Sequence, residues 1–174
     1  FIKKKVILHL LKKNNNLKVI TLVREPISRN ISFYFQDFHI PLMDISSTLD
    51  TTSSDNMDIN VLIKDFFSKF NHEHGVKWFD TEFKKAFNIN VFNYEFNKEK
   101  GYTIINKDGI DILILKLEKL NKLNKVVQDF LDIGEINFGK RNSSNNKWYS
   151  CVYEKMKNKI NFSEEYVNKL YNSK

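Results

Sequence analysis

Apolar residues fall along this chain in two patterns, short continuous runs and stripes at helical spacing. Residues 19–23 are β-branched and apolar without polar alternation, which predicts a central strand covered on both faces. Residues 110–117 are apolar enough to form a second central strand. Residues 102–105 form a shorter run, separated from the second run by Asn106-Lys107-Asp108-Gly109. That turn signal predicts a β-hairpin.

Helices are predicted between and after these strands. Pro26 stops the first strand and suits the first turn of a helix over residues 27–38. Asp80 is placed as the N-cap of a short helix, and Ser163 as the N-cap of a final helix over residues 163–172. Two longer helices are predicted from apolar stripes, the second closing near Gly134. The stripes are Ile59, Leu62, Ile63, Phe66, Phe67 and Phe70, and Leu120, Leu123, Val126, Val127, Phe130 and Leu131.

Strands alternating with helices indicate an α/β fold with a parallel sheet flanked by helices. Residues 44–58 interrupt the pattern, because they are rich in Ser, Thr and Asp and have no apolar period. They suit a surface loop or a lid near a substrate, and equally an insertion without function. We predict one domain over residues 1–174.

Composition narrows the class of protein. A chain of 174 residues with 14% aromatic content can bury a hydrophobic core. No apolar stretch approaches the roughly 20 residues that a membrane helix needs. The single cysteine, Cys151, excludes an internal disulfide and suits a reducing compartment. We therefore expect a cytoplasmic protein, either free or peripheral to the inner membrane.

The net charge of +7 suits a polyanionic partner, but most of the lysines are scattered. Arginine is more informative, since the chain contains only Arg24, Arg29 and Arg141. A guanidinium binds phosphate oxygens through two parallel hydrogen bonds, whereas an ammonium acts as a point charge. Arg24 and Arg29 flank the predicted start of the second helix, whose N–H groups favour anions.

A metal site is not predicted. His72, Glu73 and His74 are the closest group of potential ligands, but the histidines lack the i,i+4 spacing of a helical zinc site. No second ligand cluster accompanies them. Their position before Gly75 is typical of the polar end of a helix.

Two segments resemble known families. Arg24-x-Pro26 with Ser32 eight residues after the arginine resembles the 3′-phosphate-binding segment of sulfotransferases that use 3′-phosphoadenosine 5′-phosphosulfate (PAPS). Asn146-Lys147-Trp148-Tyr149-Ser150 resembles the signature of a bacterial family of sulfotransferase-like capsular polysaccharide synthesis proteins. The resemblance implies a P-loop-NTPase-like sulfotransferase fold, with PAPS as sulfuryl donor and a cell-surface or capsular polysaccharide as acceptor.

The resemblance also implies a set of site residues. Arg24 and Ser32 would hold the 3′-phosphate, with Arg29 beside them. A late basic loop would contact the 3′-phosphate and the adenine, and Trp148 would stack on a base or sugar unless it packs to hold the loop. The loop's other candidates are Lys140, Arg141 and Lys147. Asp80 or Glu82 would be the general base, unless both serve only the helix start.

One expected feature is missing. Sulfotransferases grip the 5′-phosphosulfate with an earlier Lys-, Gly-, Ser- and Thr-containing loop, which this chain lacks; because it opens on Phe1, we read it as truncated at its N-terminus. Three functions follow: a polysaccharide sulfotransferase, a non-catalytic nucleotide- or glycan-binding accessory protein of capsule assembly, and a nucleic-acid-binding protein. The last has the least support, since no RNA- or DNA-binding motif accompanies the lysines. The oligomeric state is not predicted.

Overall fold

The computed structural model describes residues 4–13, 16–36, 57–138 and 147–172. Its helices are α1 (Lys4–Lys13), α2 (Pro26–Gln36), α3 (Ile59–Lys69), α4 (Lys84–Phe87), α5 (Asn124–Leu131), α6 (Ser150–Lys159) and α7 (Glu164–Tyr171), and its strands are β1 (Leu17–Val23), β2 (Tyr102–Lys107) and β3 (Ile110–Lys116). A π-helical segment, Phe79–Phe83, runs directly into α4. Two 3₁₀ turns cover Val91–Asn93 and Leu117–Lys122.

The chain divides into two compact units. The first comprises residues 1–24 and 76–139, and the second residues 25–75 and 140–173. The prediction of one domain over residues 1–174 stays a prediction. The predicted loop or lid at residues 44–58 lies outside the described residues, apart from Met57 and Asp58.

The sheet of the first unit has the order β1-β3-β2. β1 runs parallel to β3, with Leu17 opposite Ile110 and Val23 opposite Lys116, while β2 is antiparallel to β3. The α/β class is therefore confirmed. The predicted parallel sheet is a mixed sheet in these three strands, because a two-residue turn between β2 and β3 forces neighbouring strands to run in opposite directions.

The predicted hairpin is confirmed. Its turn is Asp108-Gly109, with φ of 52° and 74° respectively. Two consecutive positive φ values are typical of a type I′ turn, whose twist matches that of the flanking strands. β2 extends through Lys107, two residues beyond the predicted run.

β3 is the central strand, as predicted. One of its faces packs into a cluster with Phe83, Ile89 and Ile105, and its other face packs against α5. β1 differs from the prediction, because its residues alternate between half-buried and exposed. Ile20 and Leu22 are 38% and 50% exposed, and within the described residues β1 pairs only with β3.

One helix boundary in the first unit differs from the prediction. Asp80 is not an N-cap, since it lies inside the π-helical segment and helical hydrogen bonding already links the Thr81 N–H to the Lys77 carbonyl over 2.9 Å. The α5 helix ends at Leu131, close to Gly134 as predicted, and the residue that follows it, Asp132, has a left-handed φ of 57°. The apolar stripe of that region is confirmed, as Leu123, Val127 and Phe130 are buried.

The second unit is helical in the residues described. Its core joins α2, α3 and α6 around Phe35, Phe66 and Met156, which are completely buried. The α2 helix begins at Pro26, one residue before the predicted start, and the proline lies in its first turn as predicted. The cap of α7 is confirmed too, because the Ser163 side chain accepts a hydrogen bond from the Tyr166 N–H over 3.2 Å.

The helices in the described segments are all too short or too polar to cross a membrane.

Candidate functional site

Arg24 directly follows β1, and α2 begins two residues later. The intervening residue, Glu25, caps α2 with its own carboxylate. Oε1 accepts from the Ile27 N–H over 2.9 Å and Oε2 from the Ser28 N–H over 2.7 Å. The Tyr171 hydroxyl donates to Oε1 as well. The start of α2 is therefore not the open anion site that the sequence predicts, because a side chain of the protein already fills that role.

Glu25 is held in its charged form. Burial acts to raise the pKa of its carboxyl, but hydrogen bonds from Ser28, Tyr171 and Ile27 outweigh burial and hold the pKa below its ordinary value. The cap thus places a fixed negative charge at the positive end of α2. This charge stabilises the helix and repels a second anion from the same N–H groups.

Arg24 and Ser32 are the two residues proposed from sequence to hold a phosphate. Arg24 is half-buried at the end of the first unit, and Ser32 is half-buried on α2 of the second. Neither side chain makes a hydrogen bond or ion pair with another residue in the described segments. Both therefore retain their hydrogen-bonding capacity for a ligand.

Arg29 is engaged differently, by neighbours within the second unit. Its Nη2 donates to Oδ1 of Asn30 over 2.6 Å. The guanidinium fills the space beside Gly75 where any larger residue would carry a Cβ. Burial lowers the pKa of Arg29, although a guanidinium stays charged at physiological pH. The structure therefore seats Arg29 against Gly75 rather than leaving it extended into solvent.

Asn30 is the centre of a buried polar network. It is completely buried, and its Nδ2 donates to the His72 carbonyl over 3.0 Å and to the Tyr166 hydroxyl over 3.4 Å. Nε2 of His72 lies 2.9 Å from the Phe66 carbonyl, which can only accept. Nδ1 of His72 therefore accepts from the Tyr166 hydroxyl, 2.8 Å away.

The network engages the whole imidazole ring of His72. Both ring nitrogens are already hydrogen-bonded, and burial lowers the pKa of His72 so that the neutral ring is favoured. Nowhere in the described segments do three His, Cys, Asp or Glu side chains gather as a metal site would require.

The candidate general bases lie in the first unit. Asp80 is exposed and Glu82 half-buried, both on the π-helical segment. Neither carboxylate has a hydrogen-bond or ion-pair partner in the described segments. Their predicted catalytic role stays a prediction.

The late basic loop is described only from Lys147 onward. Lys140 and Arg141 lie outside the described residues, as does Asn146. Trp148 is 56% exposed, and its ring meets Tyr149 edge-on at a centroid distance of 5.5 Å. Tyr149 in turn packs on the buried Phe35 at 5.5 Å. The contact with Phe35 thus fixes Tyr149 to the core.

The sequence prediction missed several residues that organise the site. Glu25 carries the one available signal, because an acidic residue immediately before Pro at a helix start is placed to cap. Asn30, Gly75 and Tyr166 carry no local signal, since their partners lie far away in sequence.

A family model described as "Putative capsular polysaccharide synthesis protein" matches residues 50–174, more than half of the chain. The chain belongs to this NKWYS family. The family predicted from Asn146-Lys147-Trp148-Tyr149-Ser150 is therefore confirmed, and these five residues lie inside the match. Arg24, Arg29 and Ser32 precede it. No curated protein and no solved structure matches the chain.

Proposed function

We propose that this NKWYS family member binds PAPS and transfers its sulfuryl group to a hydroxyl of a capsular or other cell-surface polysaccharide. The family description supplies the polysaccharide context. The cofactor is proposed from Arg24, Ser32 and their spacing of eight residues. A cytoplasmic location, in contact with the nucleotide pool, is part of the same proposal.

The observation that carries the proposal is the unused hydrogen-bonding capacity of Arg24. The residue is half-buried, and its guanidinium has no carboxylate or carbonyl partner in the described segments. A phosphate would supply the missing partner through two parallel N–H···O bonds. Ser32, whose hydroxyl is likewise unbonded in those segments, is proposed as a second phosphate ligand from its sequence spacing alone.

The proposed reaction is a direct displacement at sulfur. The acceptor hydroxyl oxygen forms a new S–O bond, and the bond between sulfur and the 5′-phosphate oxygen breaks. The leaving group, adenosine 3′,5′-bisphosphate, takes the electron pair of the broken bond. Asp80 or Glu82 would take the hydroxyl proton, and cationic groups would stabilise the charge on the leaving phosphate.

The NKWYS segment would cover the nucleotide. Lys147 and Trp148 are half-buried and exposed respectively, next to the fixed Tyr149. In the proposal Lys147 contacts a phosphate and Trp148 stacks on the adenine. Lys140 and Arg141 are proposed to contact the same phosphates.

The test is calorimetric titration of the chain with adenosine 3′,5′-bisphosphate, beside AMP and ADP. We expect selective binding of the bisphosphate. Arg24→Ala should weaken it by about 10- to 100-fold, since it removes charge-assisted hydrogen bonds, and Ser32→Ala should weaken it less. Lys85→Ala is the charge-matched control, because Lys85 is exposed on α4 and should leave affinity unchanged.

Equal binding of the three nucleotides, or no binding, would contradict a PAPS site. So would an Arg24→Ala affinity no lower than that of Lys85→Ala. If binding is selective, transfer from sulfur-labelled PAPS to a capsular polysaccharide is the next measurement.

A second function is a non-catalytic nucleotide- or glycan-binding accessory protein of capsule synthesis. The candidate bases favour this alternative. No residue in the described segments holds the carboxylate of Asp80 or of Glu82 in a defined position for proton transfer. Selective bisphosphate binding without sulfuryl transfer would support this alternative. Loss of transfer in Asp80→Asn or Glu82→Gln with unchanged nucleotide affinity would support the enzyme.

A further inference from the structure

The Arg29 side chain buries part of a charge without neutralising it. In the described segments no carboxylate pairs with it, and Asn30, its hydrogen-bond partner there, is a neutral amide. Its Nε is buried and has no hydrogen-bond partner in those segments. Desolvating a guanidinium is costly unless an anion or several acceptors compensate. Arg29 is thus a partly buried cation that still lacks a hydrogen-bond acceptor for its Nε–H group.

The guanidinium of Arg29 packs directly against Gly75. A Cβ at position 75 would overlap Nη1 and Cζ of Arg29. The backbone does not demand glycine there, because the described glycines with positive φ are Gly101 and Gly109. Glycine at position 75 is therefore explained by the space that the guanidinium needs.

The rest of the framework is fixed before any ligand arrives. Asn30 receives the Nη2 hydrogen bond and is itself tied to the His72 carbonyl and the Tyr166 hydroxyl. The Tyr166 proton is committed to Nδ1 of His72. Because each group already has its partner, the network orients Arg29 without competing for an incoming anion.

We propose that Arg29 is an oxyanion-binding residue of the second unit and that Gly75 is its positioning residue. The ligand is a phosphate or sulfate group, whose oxygens match the guanidinium. The phosphate or sulfate group belongs either to the nucleotide or to a sulfated glycan, since both ligands carry tetrahedral oxyanions. The proposal stands whether or not Arg24 binds the nucleotide.

The test uses the side-chain Nε–Hε resonances of the ¹⁵N-labelled chain. Three arginines give three signals, which Arg24→Lys and Arg29→Lys assign. Sodium sulfate and sodium phosphate are titrated at an ionic strength held constant with sodium chloride. We expect the Arg29 signal to shift saturably with both anions and not with chloride.

Gly75→Ala separates the positioning role from general charge. The added methyl group meets the far end of a flexible side chain, so the chain should fold while Arg29 is displaced. We expect affinity for sulfate and phosphate to fall by about tenfold or more. Lys85→Ala should leave it unchanged. Unchanged affinity in a folded Gly75→Ala chain would overturn the role of Gly75.

Arg29→Lys gives a second measure, because it keeps the charge and loses the planar fork. It should also weaken binding, followed through backbone amide signals around residue 75. An Arg29 signal that does not shift, or that shifts equally with chloride, would overturn the proposal.

Two further titrations distinguish the source of the anion. Adenosine 3′,5′-bisphosphate tests the nucleotide and a sulfated oligosaccharide tests the glycan, each against Gly75→Ala and Arg24→Ala. If the bisphosphate shifts only the Arg24 signal, the result supports the proposed function. If the inorganic anions also leave the Arg29 signal unshifted, the result contradicts the proposed site at Arg29. A response at Arg29 that survives Arg24→Ala would support this site even if the PAPS proposal fails.

Discussion

At the scale of single residues, Glu25 shows how one side chain changes the chemistry of a helix start. The sequence around Arg24 predicts open N–H groups ready for phosphate, but Glu25 occupies two of them. The backbone N–H groups of Ile27 and Ser28 are therefore already hydrogen-bonded within the protein and are not open to an anion.

We expect Glu25→Gln to lower the free energy of unfolding by about 1 kcal/mol at neutral pH, because a neutral amide is a weaker cap for the positive end of α2. The folded-state pKa of Glu25 lies below its ordinary value of 4.5. The stabilisation is thus complete above that value and disappears as the pH falls through the folded-state pKa.

Urea denaturation of both proteins between neutral and acidic pH measures this difference. The difference in the free energy of unfolding between wild type and Glu25→Gln should become smaller below about pH 4.5. Glu154→Gln is the control, since Glu154 is exposed on α6. A difference in the free energy of unfolding that stays constant with pH would show that the charge of Glu25 does not contribute to the cap.

At the scale of elements, local signals were reliable where one turn or cap decides the outcome. The Asp108-Gly109 hairpin and the Ser163 cap need only a few neighbouring residues, and both are confirmed. The burial of β1 was not predictable in the same way. Its apolar run suits a strand covered on both faces, but coverage depends on elements distant in sequence.

The hairpin allows a matched pair of glycine substitutions. Gly109→Ala should lower the free energy of unfolding by about 1–2 kcal/mol, because φ of 74° places a Cβ in the disfavoured left-handed region. Gly134→Ala is the control, since a Cβ there meets no atom within 4 Å. Chemical denaturation of the two variants checks this, and equal stabilities would contradict the assigned turn.

At the scale of the whole molecule, each of the two units has its own buried core. The family was predictable from five consecutive residues, because a literal motif needs no knowledge of the fold. The site was less predictable. Tyr171 reaches Glu25 across 146 residues of sequence, and Gly75 accommodates Arg29. Such partners are brought together only by tertiary packing, which periodicity and spacing do not encode.

The net charge of +7 gives a prediction for the whole chain. Scattered lysines should bind duplex DNA weakly, with an affinity that falls steeply between about 50 and 200 mM salt. Binding of adenosine 3′,5′-bisphosphate through a guanidinium fork should retain its preference over AMP across that range. Fluorescence anisotropy with a labelled duplex measures the affinity for DNA, and calorimetry with the nucleotides measures the preference for the bisphosphate over AMP. A steep salt dependence of DNA binding, together with no preference for the 3′-phosphate of the bisphosphate over AMP, would favour the nucleic-acid function instead.

The placement of the two tryptophans has a spectroscopic consequence. Trp78 packs against the core of the first unit, whereas Trp148 is mostly exposed in the second. Since the chain contains no other tryptophan, Trp148→Phe leaves a blue-shifted emission that reports on the first unit, and Trp78→Phe leaves a red-shifted, iodide-quenchable emission that reports on the second. Each of the two units thus carries one tryptophan, whose emission can be followed separately.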